Sequence, residues 1–290
     1  MRRSFPRVPM LLTATLAAFA VLAAAPARAA IHYQALTTVE TEGQKPQRTQ
    51  VEAWVDGASA KVVFAEAGVP TFEKGQYLLT KDGGQTLFLV DPEEKTYAEW
   101  DLAAMLQAFG AIMQSIQPLV NLKIENVEVT KLGEEPGGTL HGLPTTRATF
   151  RSEYDMTIRI LRMNRTSHVE SVQETWTTSE LSDAGLGIWL RNVPTTGFED
   201  LDRLVAAEMK TVQGFPLKTV TVQTTTGQKG KRESSSKTTM EVTSLDRSAS
   251  VPAGTFELPA GYTRTEMAPA AGEGEDANPL GGIFGRGGGR

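Results

Sequence analysis

Alternating apolar and polar residues run through most of this chain and predict a protein built mainly from β-strands. Three such segments follow one another at residues 31–40, 47–57 and 59–68. In the second segment, Val51, Ala53 and Val55 share one face. Asp56-Gly57 is a tight-turn signal, so the first strands are expected to form an antiparallel meander.

Turn residues divide the next part of the chain into short strands. Asp82-Gly83-Gly84 and Asp91-Pro92-Glu93 separate three of them between residues 75 and 100. Further alternation predicts strands at 119–132 and, after a glycine-centred bend at 137–144, from 145 to about 176. The many Thr, Arg and Glu residues in these later strands indicate that one face is in water.

The stretch from residue 214 to 262 predicts a β-hairpin followed by a closing strand. Residues 218–226 and 237–245 alternate, and a cationic, glycine-containing turn lies between them. A hairpin centred on Gly230 pairs Val220 near Met240 and Val222 near Thr238. This register is expected to place both valines on one face with Met240 and Val242.

Two segments have helical periodicity. Asp101 is a good N-cap for a helix over residues 101–117, which Pro118 ends. No charged residue occurs from 102 to 117, so this helix is either buried in the core or lies at the mouth of an apolar cavity. Under the second interpretation its apolar side chains are the candidate ligand-binding residues: Leu102, Met105, Leu106, Phe109, Ile112, Met113 and Ile116. A second, amphipathic helix is expected to begin near Thr196, which has capping-box spacing to Glu199.

The strand that follows the Gly83-Gly84 turn, with the residues LFLVDPEEKTY, resembles the early strands of LolA-like proteins, which are periplasmic carriers of lipoproteins and their relatives. The segments GFPLKTVTV and VPAGTFELPAGY are similar to the C-terminal half of an uncharacterised family in that LolA/LolB-like superfamily. The resemblance implies a mainly β (α+β) fold. The expected architecture is a curved, incomplete antiparallel β-barrel of LolA-like type with two or so helices on its concave side.

The two ends of the chain have compositions unlike the rest. Arg2, Arg3 and Arg7 precede an apolar run over residues 10–25 and a small-residue site, which predicts a signal peptide over 1–29 and a mature chain that begins at Ala30. The run is shorter than the roughly 20 residues of a spanning helix, so no transmembrane anchor is expected in the mature chain. The export route stays open between the general secretory and twin-arginine pathways. Residues 30–265 are expected to form one domain, and 266–290, rich in Gly, Ala and Pro, a disordered tail.

Composition narrows the possible functions. The chain has no cysteine, so the mature protein has neither disulfides nor a lipidated first residue. Removal of residues 1–29 takes away four arginines and no acids, which changes the formal net charge from -5 to 25 minus 34, or -9. An acidic protein is a poor partner for nucleic acid or anionic membranes.

No catalytic constellation is apparent. His32, His141 and His168 lie far apart without metal-ligand spacing, although a composite zinc site from distant strands stays open. No nucleophile elbow, phosphate-binding loop or dinucleotide fingerprint occurs. Neighbouring acids such as Glu93-Glu94 and Glu134-Glu135 are not expected to converge on one substrate, because adjacent side chains on a strand face opposite ways. We therefore expect no enzyme, no metal and no cofactor.

Two functions remain as hypotheses. In the first, the protein is a periplasmic binding or carrier protein whose curved sheet holds a lipid, an acylated protein or another apolar ligand. In the second, it is a cell-envelope protein-interaction or stress-sensing module that binds another protein through its sheet or loops. The resemblance and the uncharged helix favour the first.

Overall fold

The structure is a computed structural model and describes residues 30–68, 72–99, 120–160, 163–181, 199–210, 213–227 and 230–266. These residues form twelve strands and one helix. In chain order they are β1 (Ala30–Thr41), β2 (Gln47–Asp56), β3 (Ser59–Glu66), β4 (Tyr77–Thr80), β5 (Phe88–Asp91), β6 (Thr96–Glu99), β7 (Val120–Leu140), β8 (Leu143–Ile160), β9 (Met163–Thr178), α1 (Glu199–Met209), β10 (Phe215–Thr226), β11 (Arg232–Ala249) and β12 (Thr263–Thr265).

All twelve strands belong to one sheet, in the order β12-β6-β5-β4-β3-β2-β1-β11-β10-β9-β8-β7. Neighbouring strands are antiparallel except β12 and β6, which are parallel. The end strands β7 and β12 do not pair with each other, so the sheet is open. The predicted mainly β, antiparallel and unclosed architecture is confirmed. Of the two or so predicted helices, α1 corresponds to the second, and residues 101–117 lie outside the described ranges.

The sheet is strongly curved, as the tip of one hairpin shows. His141 lies in the turn between β7 and β8, and its Nε2 donates a hydrogen bond to the carbonyl oxygen of Val242 on β11 at 2.7 Å. Strands β8 and β11 are three positions apart in the sheet, which in a flat sheet would separate them by about 14 Å. The β7–β8 hairpin therefore bends back over one face of the sheet, here called the concave face.

The main hydrophobic core lies on this concave face. Alternation in β1, β2 and β3 directs Tyr33, Ala53 and Val62 to the same side, and Leu143 from the bent hairpin packs onto them with no exposed surface. The ring of Tyr33 meets that of Phe215 edge-on, with centroids 5.7 Å apart. The buried members of the cluster are Tyr33, Ala35, Ala53, Val55, Ala60, Val62, Leu143, Leu181, Phe215, Leu217 and Val242.

A smaller core lies on the opposite, convex face of β3 to β6. Tyr77, Leu79 and Val90 are buried there beneath Phe256 and Leu258 of the segment that follows β11. This segment, 250–262, contains turns and no strand, so the closing strand predicted from it is shorter and later than expected, at Thr263–Thr265. Burial raises the pKa of Tyr77 to about 12, and the neighbouring Tyr262 adds to the shift.

The predicted hairpin is present, but its register differs from the prediction by one residue. Met240 pairs with Thr219, and Val220 pairs with Thr239. The valines therefore face away from Met240 and Val242, and Val222 is 42% exposed on the convex face. The reason lies at the start of β10, where Leu217 is almost fully buried. Because side chains alternate along a strand, Thr219 and Thr221 face the same side as Leu217, and the valines face the other side.

The bend predicted over 137–144 is in fact a two-residue turn. β7 continues to Leu140, and only His141 and Gly142 separate it from β8, with φ angles of 51° and 74°. Such left-handed pairs suit the twist of a hairpin. The glycines of the segment are accommodated within β7, which has register shifts beside Gly133 and Gly138.

Candidate functional site

A groove of about 670 Å³ lies on the concave face between the C-terminal end of α1 and strands β7, β8 and β9. Its size falls in the range of small-molecule sites. The residues that line it are Val129, Lys131, Glu134, Pro144, Thr145, Thr146, Ala148, Phe150, Thr175, Thr177, Ser179, Ala207, Lys210, Gln213 and Gly214.

The floor of the groove comes from alternate residues of β8 and β9. Thr146, Ala148 and Phe150 lie two apart on β8 and so face the same side. Opposite them on β9, Thr177 pairs with Thr146 and Thr175 pairs with Ala148. The floor thus changes along β8 from an aromatic side chain through a methyl group to hydroxyl groups.

The edge of the groove on β7 depends on a β-bulge. Lys131 pairs with Phe150 and Gly133 with Thr149, so Leu132 is an extra residue without a partner on β8. The bulge brings Lys131 and Glu134 to the same face, where their side chains form an ion pair at 2.5 Å. Leu132 itself is turned outward and is 47% exposed.

Among the described side chains of helix α1, a buried leucine and two polar contacts hold the helix on the concave face. Leu204 is 7% exposed. The backbone N–H of Ile124 on β7 donates to Asp200 Oδ2 at 3.2 Å, and Ser152 Oγ donates to Glu208 Oε1 at 3.0 Å. Burial raises the pKa of Tyr154, and the charge of Glu208 raises it further.

The chain turns sharply after α1 and returns to the sheet beside the groove. Gly214 has a φ of 75°, and a Cβ at this position would lie 2.8 Å from the carbonyl oxygen of Thr178. Only glycine fits this close approach without strain. The turn places Lys210 and Gln213 on the groove lining just before β10 begins at Phe215.

The seven candidate ligand-binding residues from the sequence lie outside the described residues, as do the predicted signal peptide and nearly all of the predicted tail. Reasoning from the sequence did not find the groove described above. Small and hydroxyl-bearing residues at alternate positions of β8 do mark the groove floor in the sequence. By itself, however, this pattern indicates only a strand surface that faces water. Finding the groove requires four segments to be placed together.

The three histidines occupy separate places. His32 stacks on Trp54 and contacts Glu52 at 2.8 Å, His141 contacts Val242, and His168 contacts Asp155 at 2.9 Å. In the described part of the chain, no group of three or more potential metal ligands comes together.

The convex face of β7 to β10 carries a row of charges across the strands. Arg147 contacts Glu135 at 2.9 Å and Glu174 at 2.5 Å, and its guanidinium lies 5.2 Å from the centroid of the Trp176 ring. Lys218 lies 5.5 Å from the same centroid. These pairs agree with the predicted water-facing surface, and exposed pairs of this kind contribute little to stability.

No protein-family model matches the sequence, and no curated protein matches it. Solved structures similar to this chain include a LolA superfamily protein from Nitrosomonas europaea, at 10% identity and a TM-score of 0.28 over 79% of this chain and 90% of that one. An uncharacterised conserved protein from Thermus thermophilus is 9% identical, with a TM-score of 0.30 over 81% of this chain and 90% of that one. PNGF-II is 13% identical, with a TM-score of 0.32 over 81% of this chain and 31% of that one. The first belongs to the superfamily that the sequence resembles. Values this low assign no function to the chain.

Within the described ranges, no helix is long and apolar enough to span a membrane.

Proposed function

We propose that this protein is a non-enzymatic binding or carrier protein for an apolar ligand with an acyl-chain-like part, and that the ligand lies in the concave groove. The observation that carries the proposal is the groove itself, about 670 Å³ between α1 and the sheet. The predicted signal peptide supports a periplasmic location for this activity.

The lining offers a chain-like ligand an apolar stretch near the middle of β8. Val129 pairs with Ser152, which is two residues from Phe150 and on the same face of β8, and Ala207 of α1 lines the same groove. The Lys131–Glu134 ion pair borders this stretch, opposite Phe150 and Ala148. Next to Phe150, Ala148 and Thr175 add small, methyl-bearing side chains. Burying apolar surface here yields about 25 cal/mol per Å² removed from water, which favours alkyl groups over polar solutes.

The proposal includes no reaction. Glu134, the carboxylate of the lining, already contacts Lys131. Of the residues that the structure describes, those lining the groove include no histidine or aspartate. The described lining offers a ligand shape, apolar and hydroxyl-bearing side chains, and the polar side chains of Lys131, Glu134, Lys210 and Gln213.

We propose further that the predicted helix over 101–117 contributes to the same site. Its seven apolar residues would then contact ligand and not only core. In that case, Phe109→Ala weakens binding of a long-chain apolar probe and lowers the melting temperature only modestly, because a cavity kept partly open for ligand has fewer contacts to lose. Outright unfolding of this variant, with no probe binding by the parent, would show that the helix is core.

The main test blocks the groove. Ala148→Trp fills the floor and is expected to abolish binding of a long-chain alkyl probe. Thr149→Trp is the matched control, since it adds the same ring one residue away on the convex face. Equal binding by both variants would place the ligand elsewhere. Native mass spectrometry with lipid extraction, on protein from its own periplasm, would identify a natural ligand.

One observation favours the second hypothesis, a protein-interaction module. Val222, 42% exposed, lies on the convex face beside its cross-strand partner Val172 and next to Val220 on the same strand. The same mass spectra also test for a second protein in stoichiometric amount. Loss of this protein in Val222→Lys, together with its retention in Ala148→Trp, would support the protein-interaction function over the carrier function.

A further inference from the structure

We infer that the ligand of the groove is an amphiphile with an anionic head, and that Lys210 is the residue that binds this head. The inference deepens the proposed function and rests on it. It is based on the net charge of the lining, whose sign is opposite to that of the whole chain.

The lining is locally positive in an acidic protein. The described residues of the lining include two lysines, Lys131 and Lys210, and one carboxylate, Glu134, which gives two minus one, or +1. The full chain carries a formal net charge of -5. A positive groove in a negative protein attracts anions to that groove and repels them from most of the remaining surface.

The two lysines are not equivalent. Lys131 is engaged in the 2.5 Å ion pair with Glu134 that the bulge at Leu132 creates. Among the described residues, no carboxylate forms an ion pair with Lys210. The nearby carboxylate of Glu208, on α1, accepts a hydrogen bond from Ser152 on β8. Lys210 is therefore the cation available to a ligand.

The positions of the residues also orient the ligand. Ala207 lies in the last turn of α1, and Lys210 directly follows the last residue of the helix, so the two residues are about 5 Å apart along its axis. Ala207 adjoins Glu208, which contacts Ser152, the β8 partner of Val129. Lys210 instead leads to Gln213 and to Gly214, which lies against Thr178. An alkyl chain over Ala148 and Phe150 would thus place its head beside Lys210, Gln213 and Thr177.

The inference predicts a preference among probes of equal chain length. Decanoate, 1-decanol and decyltrimethylammonium are compared by titration calorimetry at low salt, each below its micelle-forming concentration. Decanoate is expected to bind about two- to five-fold more tightly than decanol, the range typical of a solvent-exposed ion pair. The cationic probe is expected to bind least, and the decanoate preference to shrink as salt is added.

Variants assign the preference to a residue. Lys210→Gln is expected to remove the difference between decanoate and decanol, and Lys210→Arg to keep it. Lys237→Gln, an exposed lysine on the convex face of β11, is the matched control and is expected to change nothing. Glu134→Gln frees Lys131 and is expected to tighten decanoate binding. Unchanged melting temperatures would show that these surface substitutions leave the fold intact.

The possible outcomes separate the inference from the function on which it rests. If decanoate and decanol bind equally, or if Lys210→Gln keeps the preference, the anionic-head inference is wrong while the apolar-ligand proposal stands. If no alkyl probe binds, both are wrong. If acetate or inorganic phosphate binds as tightly as decanoate, the groove recognises an anion without an alkyl chain, and the inference that the ligand is an amphiphile is wrong.

Discussion

His141 and Val242 are 101 residues apart in the chain, yet the imidazole Nε2 of His141 donates a hydrogen bond to the carbonyl oxygen of Val242 at 2.7 Å. Val242 lies beside a β-bulge, where Thr243 has no partner on β1. The bond thus joins the tip of the β7–β8 hairpin to an irregular point of β11 and holds the hairpin over the concave core.

Loss of this bond is expected to loosen the curvature of the sheet. His141→Leu removes the donor and leaves the carbonyl oxygen of the buried residue Val242 without this hydrogen bond. We therefore expect a loss of about 1–3 kcal/mol in the free energy of unfolding. His141→Gln keeps an N–H donor at similar reach and is expected to recover part of this loss. Urea denaturation measures both variants, and equal losses would show that the bond itself contributes little.

The contact between α1 and the edge strand predicts a local change in hydrogen exchange. Asp200 accepts the backbone N–H of Ile124 at 3.2 Å, and it also pairs with Arg203. Asp200→Ala is expected to speed amide exchange at Ile124 and to cost about 1 kcal/mol of stability. Glu199→Ala, in the same helical turn, is the control. Unchanged exchange at Ile124 would contradict this docking geometry.

The turn after β5 predicts an acid-dependent part of the stability. Backbone N–H groups of Glu94 and Glu93 donate to Asp91 Oδ1, and Gln76 Nε2 donates to Oδ2. The Glu94 and Gln76 bonds are the main causes that hold the pKa of Asp91 below its ordinary value. A carboxyl with a lowered folded pKa stabilises the protein above its unfolded pKa of about 3.9, and this contribution is lost as the pH falls through the folded value.

We therefore expect Asp91→Asn to be less stable than the parent at pH 7, by about 1–2 kcal/mol, because its amide N–H₂ cannot accept from Gln76. The difference is expected to shrink as the pH is lowered below about 4. Urea midpoints at several pH values measure it, with Glu94→Gln as the control. A difference that stays constant down to about pH 2.5, below the unfolded pKa, would contradict the role of the charge.

The observed register of β10 and β11 predicts unequal effects of one substitution at two valines. Val222→Thr, at an exposed convex position, is expected to change stability by less than about 0.5 kcal/mol. Val242→Thr buries a hydroxyl in the concave core and is expected to cost about 1–3 kcal/mol. The register predicted from sequence would make both substitutions costly, so thermal or urea unfolding decides between the two registers.

Local signals were enough to predict most of the strands. Alternation placed β1, β2 and β3 within a residue or two of their observed bounds, and Asp56-Gly57 marked the turn where Gly57 has a φ of 56°. Helix α1 was expected from Thr196 and is described from Glu199. These features depend on side chains within a few residues of one another, which is why the sequence alone reveals them.

The candidate site could not be predicted in the same way. Phe150, Lys131, Thr175 and Ala207 come from four elements that meet only after the sheet has curved and α1 has docked. Even the pairing of Lys131 with Glu134 depends on a bulge, which alternation does not reveal. The helix over 101–117, on which the predicted site was built, remains a prediction.

By itself, the sequence determined that this protein consists mainly of antiparallel strands, because strand alternation and turn chemistry are local properties; an open sheet was implied only by the family resemblance. Only the tertiary structure decided which face of β10 is inside. Val220 and Val222 are more apolar than the threonines beside them, yet Leu217, almost fully buried at a register shift of β10, determines which of the following residues face inward. One deeply packed end therefore outweighs the local pattern, since a strand can bury only one of its two faces against the same core.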